Sequence, residues 1–81
     1  MTMQWQFIPN DDDMSVDPEF RLLVNGADVG ISIQDARGYG GAYCVNREVG
    51  EGEEFAIHHH GEFRTIKTAR AVGERVFRTG E

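Results

Sequence analysis

A single cysteine, Cys44, occurs in 81 residues, so no internal disulfide can form, which fits a reducing compartment and does not suggest a stapled secreted scaffold. No apolar run reaches the roughly 20 residues that a bilayer-spanning helix needs, and no signal or transit peptide pattern opens the chain. The expectation is a soluble cytoplasmic protein. Bases are scarce as well: 8 Lys and Arg stand against 14 Asp and Glu, for a net charge of −6. So acidic a body repels a phosphate backbone, which disfavours duplex binding unless one element carries its own basic stripe. Also missing are a phosphate-binding glycine loop, paired Cys/His zinc spacing, and a nucleophile with a sequence-local base. A chain this short forms one domain with little volume for a pocket. Neither a cofactor, a metal site nor enzymatic activity is therefore expected.

Helix signals are the most numerous of what is present. Ile66, Ala69, Val72, Gly73, Val76 and Phe77 keep the three-and-four spacing of one helix face. Thr65 or Thr68 can cap the start, Gly80 stands just past the end, and Arg75 and Arg78 complement the negative end of the dipole. Gly73 is discordant, costing roughly 1 kcal/mol against Ala in a helix interior. On the apolar face, it implies close approach of the helix backbone to a sheet.

Ahead of the helix the periodicity changes to two. Phe20, Leu22 and Val24 alternate, Asn25-Gly26 offers a tight turn, and Ala27, Val29, Ile31 and Ile33 continue the alternation. A two-residue loop pairs Val24 with Ala27 and Leu22 with Val29; a four-residue loop pairs Val24 with Val29 and Phe20 with Ile33. Both keep the same faces together. Asp35 to Gly38 reads as the next turn and Tyr39 to Val45 as a strand, with Tyr43 and Val45 or else Ala42 and Cys44 inward. Gly40 and Gly41 mark a bulge or a close approach, for which the helix is the candidate neighbour. Asn46 to Glu54 reads as a polar loop and Phe55 to His60 as the last strand. The first residues, Gln4-Trp5-Gln6-Phe7-Ile8, alternate up to Pro9 and form an edge strand or an anchored arm; Trp5 packs rather than binds.

The fold class expected is α+β: an antiparallel meander of three to four strands with one C-terminal helix across one face. Residues 1–81 form a single domain, with 1–19 the arm or edge strand plus an acidic loop, 20–62 the sheet and 63–79 the helix.

Charge is divided along the chain. Residues 1–63 hold twelve acids and three bases, and residues 64–81 two acids and five bases, giving −9 and +3. The bland reading of this split is solvation and helix-dipole chemistry. Asp11-Asp12-Asp13 lacks the alternating ligands, turn glycine and terminal glutamate of a calcium loop and reads as a solvated acidic loop. Cys44 reads as an inert small hydrophobe. In a strand, His58 and His60 share a face and could bind zinc only with a third ligand such as Glu53 or Glu62, so solvent-facing or packed histidines are expected.

The runs Phe20 to Gly26, Arg37-Gly38-Tyr39 and Gly61 to Ala69 resemble, in layout, small phage and prophage accessory proteins. The same layout is similar to the arm-binding modules of phage integrases, which read DNA with a three-stranded sheet, but here the strands carry almost no Lys or Arg. Size and charge are similar to those of small acidic phage proteins, including some anti-CRISPR and other counter-defence inhibitors. The resemblance implies a non-enzymatic module that modulates or inhibits a host protein, one with a basic nucleic-acid groove. Its partner-binding residues would be Asp11, Asp12, Asp13, Asp17, Glu19, Glu51, Glu53 and Glu54. The other reading is weak nucleic-acid binding along the helix through Arg64, Lys67, Arg70, Arg75 and Arg78. No membrane partner is expected, and an uncovered edge strand, near Trp5 or at Phe55 to His60, offers a route to a homodimer.

Overall fold

The computed structural model describes residues 2–9, 18–36 and 42–80. Five strands, β1 (Met3–Ile8), β2 (Glu19–Val24), β3 (Ala27–Asp35), β4 (Tyr43–Val49) and β5 (Ala56–Phe63), precede one helix, α1 (Ile66–Thr79). The strands form one antiparallel sheet in the order β1-β2-β3-β4-β5. The α+β class holds with one strand more than expected, because the N-terminal segment pairs along its whole length with β2.

The β2–β3 hairpin uses both registers open to its sequence. Asn25 (φ 52°) and Gly26 (φ 84°) turn with positive φ at both positions, as a two-residue hairpin loop requires. At the tip Val24 faces Ala27, but beyond Leu22 the ladder shifts by two residues, so that Phe20 faces Ile33. An even shift leaves every side chain on its original face, so the apolar alternation tolerates it. Gly30, at φ 79°, sits in the bulge and would bring a Cβ to 3.3 Å from the Glu48 carbonyl oxygen.

β4 lies further along the chain than expected. Asn46, Arg47, Glu48 and Val49 belong to the strand, not to a loop. Asn46 and Glu48 point to the sheet face that the helix leaves open, where polar residues are welcome, while Tyr43 and Val45 are buried under the helix. The following turn is a single 3₁₀ turn, Gly52–Glu54. The pairing proposed for Gly40 and Gly41, like the Arg37-Gly38-Tyr39 run, lies outside the described residues.

β5 runs three residues past His60, which moves the sheet–helix boundary from 62/63 to beyond Phe63. A one-residue shift separates the pairs Cys44–Glu62 and Asn46–His59. Simple alternation from Ile57 and His59 would put Phe63 on the open face. The extra residue at His60–Gly61, with Gly61 at φ 120°, flips it to the helix side, where it packs against the buried cluster.

Thr65 is the N-cap: its Oγ1 accepts from the Thr68 N–H at 3.2 Å. Gly80 ends the helix in the left-handed region, its N–H donating to the Val76 carbonyl at 2.7 Å. Arg78 falls in the last turn and Arg75 just before it. A cation from the sheet completes the cap, since Arg47 Nη1 donates to the Gly80 carbonyl at 2.7 Å.

Two buried clusters fill the layer between sheet and helix. Leu22, Val24, Ile31 and Val76 form one, and Ile33, Tyr43, Val45 and Ala69 the other. Trp5 and Val72 touch both. Gly73 is where the helix meets Trp5, with Ile31 behind it.

Candidate interaction surface

A five-stranded sheet covered on one side exposes its other face, and the register orders that face into three rows across the strands. The first holds Ile8, Glu19, Gln34, Cys44 and Glu62. The second holds Gln6, Arg21, Ser32, Asn46 and His59. Gln4, Leu23, Asp28, Glu48 and Ile57 make up the third. Among the described residues of these rows, four carboxylates thus stand against one cation, Arg21.

Arg21 gathers three of them. Nε donates to Asp28 Oδ2 at 2.7 Å and Nη2 to Asp28 Oδ1 at 3.2 Å, a bidentate fork. Nη1 and Nη2 each reach a Glu48 oxygen at 3.2 Å, and Nη1 stands 3.7 Å from Glu19 Oε2. The side chain is only 15% exposed. Its hydrogen bond to Asp28 outweighs burial and, with Glu48, holds the guanidinium above its ordinary pKa. Burial pushes the Asp28 carboxyl up, but the Arg21 hydrogen bond, the Gly30 N–H at 2.8 Å and the Arg21 charge bring it below the usual value. One cation among three carboxylates leaves the cluster net negative, so its field still attracts a basic group.

At the edges of this face the chemistry is softer. Cys44 Sγ donates to Glu62 Oε1 at 3.9 Å, and His59 Nδ1 lies 3.1 Å from Asn46 Oδ1. Ile57, 59% exposed, stands at the β5 end of the third row. Of the two histidines weighed for zinc, His58 faces Arg47, a cation, and His60, at the bulge, buries Nε2 without a hydrogen-bond partner among the described residues. Among the described residues no group of three or more His, Cys, Asp or Glu side chains is placed to hold a metal ion. No helix among them is long and apolar enough to cross a membrane.

The acidic residues singled out from sequence fall in different places. Glu19 joins the open face. Glu51, Glu53 and Glu54 are exposed on the β4–β5 turn, at the other end of the sheet. The five steps from Cys44, in the Glu19 row, to Val49 cover about 17 Å at about 3.4 Å per residue. Asp11, Asp12, Asp13 and Asp17 lie outside the described residues. Asp28, Glu48 and Glu62 were missed as site residues because nothing local marks them; Arg21 and the strand register unite them.

On the helix side, Arg64, Lys67, Arg70, Arg75 and Arg78 are all exposed. Two are engaged: Arg70 stands over the Phe20 ring at 5.6 Å from its centroid, and Arg78 pairs with Glu74 at 3.6 Å. Among the described residues Arg64, Lys67 and Arg75 have no ion-pair partner. The domain is therefore polar as a body, basic over the helix and acidic over the open sheet.

Compared with protein-family models, curated proteins and solved structures, the chain matches none. Its chemistry rests on its own surfaces.

Proposed function

We propose that the protein is a non-enzymatic interaction module, acting in the cytoplasm, that lays an acidic surface against a basic surface of a partner protein. The observation that supports this reading is the sheet face opposite the helix, where Glu19, Asp28, Glu48 and Glu62 face solvent with Arg21 the one cation among the described residues of the three rows. A flat face with fixed charges and exposed aliphatic side chains at its rim suits protein docking, where complementary charge raises association rates and selects partners. In line with the resemblance of its layout to phage accessory proteins, the partner is a host protein whose basic groove binds nucleic acid, and occupation of that groove inhibits it.

A second reading rests on Arg64, Lys67 and Arg75, exposed cations with no ion-pair partner among the described residues. They suit phosphates along α1, with affinity that falls steeply as salt rises.

Capture from host lysate, with and without nuclease, separates the two readings when wild type is run beside two charge reversals. The first reading predicts a stoichiometric protein partner that survives nuclease, is lost with Glu19→Lys plus Glu62→Lys, and is retained with Lys67→Glu plus Arg75→Glu. The opposite pattern, or recovery of nucleic acid alone that disappears at moderate salt, transfers the function to the helix.

A further inference from the structure

The two edges of the sheet are not equivalent. β5 carries a bulge at His60–Gly61, with Gly61 at φ 120°, and the charged Glu62 beyond it. Bulges and edge charges are the usual devices that keep a sheet edge from pairing with another chain. β1 has neither. Its six residues, Met3–Ile8, pair with β2 without a register shift, carry no charge and contain no proline. Pro9 stands only after the last of them.

The direction of its free backbone groups follows from one hydrogen bond. The Thr2 carbonyl accepts from the Asn25 N–H at 2.8 Å, so Thr2 and, by the two-residue period, Gln4, Gln6 and Ile8 point their main-chain groups at β2. Met3, Trp5 and Phe7 therefore turn their N–H and C=O groups to the open edge. Each such group in a paired strand would be satisfied by a neighbour.

The strand is also a chemical palindrome: Met3, Gln4, Trp5, Gln6, Phe7 reads apolar, amide, aromatic, amide, apolar in either direction. We infer that β1 pairs antiparallel with the β1 of a second copy, about a two-fold axis through Trp5 and perpendicular to the sheet. Trp5 then faces its own copy, and Met3 faces Phe7 of the other chain. Their outward main-chain groups form about six hydrogen bonds. Phe7, 52% exposed in the single chain, gains an apolar neighbour. On the open face Gln4 stands beside Gln6 of the other chain, and carboxamides both donate and accept across such a pair. No like charges meet. Two five-stranded sheets become one, with both helices on one side and both acidic faces on the other, an isologous and closed assembly.

Sedimentation velocity of the whole chain, from about 1 μM to about 1 mM, tests this over the range of ordinary weak dimers. Wild type should pass from monomer to dimer. Gln4→Lys with Gln6→Lys sets lysine opposite lysine on two exposed positions and should weaken the dimer by at least about tenfold. Gln4→Lys with Gln6→Glu sets opposite charges across the same pairs and should restore it. Ile57→Lys, on the other edge, should leave it unchanged. Circular dichroism checks that each variant is folded. A wild type that stays monomeric throughout overturns the inference, as does a dimer that ignores the lysine pair or is lost with Ile57→Lys.

Discussion

Trp5 and Gly73 fill each other's space: a Cβ on Gly73 would stand 2.6 Å from Trp5 Cη2 and 3.0 Å from Cζ2. One residue later, Glu74 Oε2 accepts the indole N–H of the same tryptophan at 3.1 Å. The helix thereby clamps the edge strand from above, joining residues at opposite ends of the chain.

Gly73→Ala sets two effects against each other. Helix propensity favours alanine by about 1 kcal/mol, whereas overpacking against a rigid ring costs about 1–3 kcal/mol. The ring is backed by the core, so we expect a net loss of about 1 kcal/mol in urea denaturation, with a changed tryptophan emission. A more stable variant would show that the ring yields freely.

Removing the cap isolates a smaller contribution. Thr65→Ala should cost about 1 kcal/mol, since the Thr68 N–H loses its acceptor, while Thr65→Ser should keep most of that stability. Equal losses in the two variants, read from thermal or urea unfolding, would contradict the capping role.

Arg21→Met leaves Glu19, Asp28 and Glu48 facing one another without their cation. A loss of about 1–3 kcal/mol is expected at neutral pH, from unpaired and mutually repelling acceptors. Added salt and acid should both reduce that loss. For wild type, the folded Asp28 carboxyl titrates below its unfolded value, so its contribution is complete above the ordinary carboxylate pKa of about 3.9 and fades as pH falls below it. An Asp28→Asn variant should accordingly lose less on acidification than wild type.

His60 supplies a second pH window. Burial, then the charges of Arg47, His58 and His59, disfavours its protonated form, so its folded pKa lies below the ordinary 6.5. In mild acid the unfolded chain binds the proton more readily. This contribution is therefore present above about pH 6.5 and declines as pH falls toward the folded pKa. NMR titration should find His60 changing charge below 6.5, and His60→Gln should flatten the stability profile there. A His60 midpoint at or above 6.5 would remove the effect.

Much of the fold was legible because period and punctuation are local. The three-and-four spacing from Ile66 to Phe77, the Thr65 cap and the Gly80 terminator lie within one short stretch, and so do the Asn25-Gly26 turn and its alternating flanks. The β5 bulge was not, because flipping Phe63 to the core depends on one extra residue measured against β4. Strand β4 was displaced for a related reason: Asn46 and Glu48 read as loop residues until one face of the sheet is known to be wet.

The candidate surface shows the same division. Amino-acid order alone determined the class α+β, the core stripe of α1 and the separation of an acidic body from a basic tail. Tertiary structure decided which acids meet, since Glu19, Asp28 and Glu48 come from three strands and converge only through register and the reach of Arg21. It also made β1 part of the sheet and gave Gly73 its partner in Trp5. Local chain chemistry extends over a few residues, whereas these contacts join segments that only folding brings within a few ångströms.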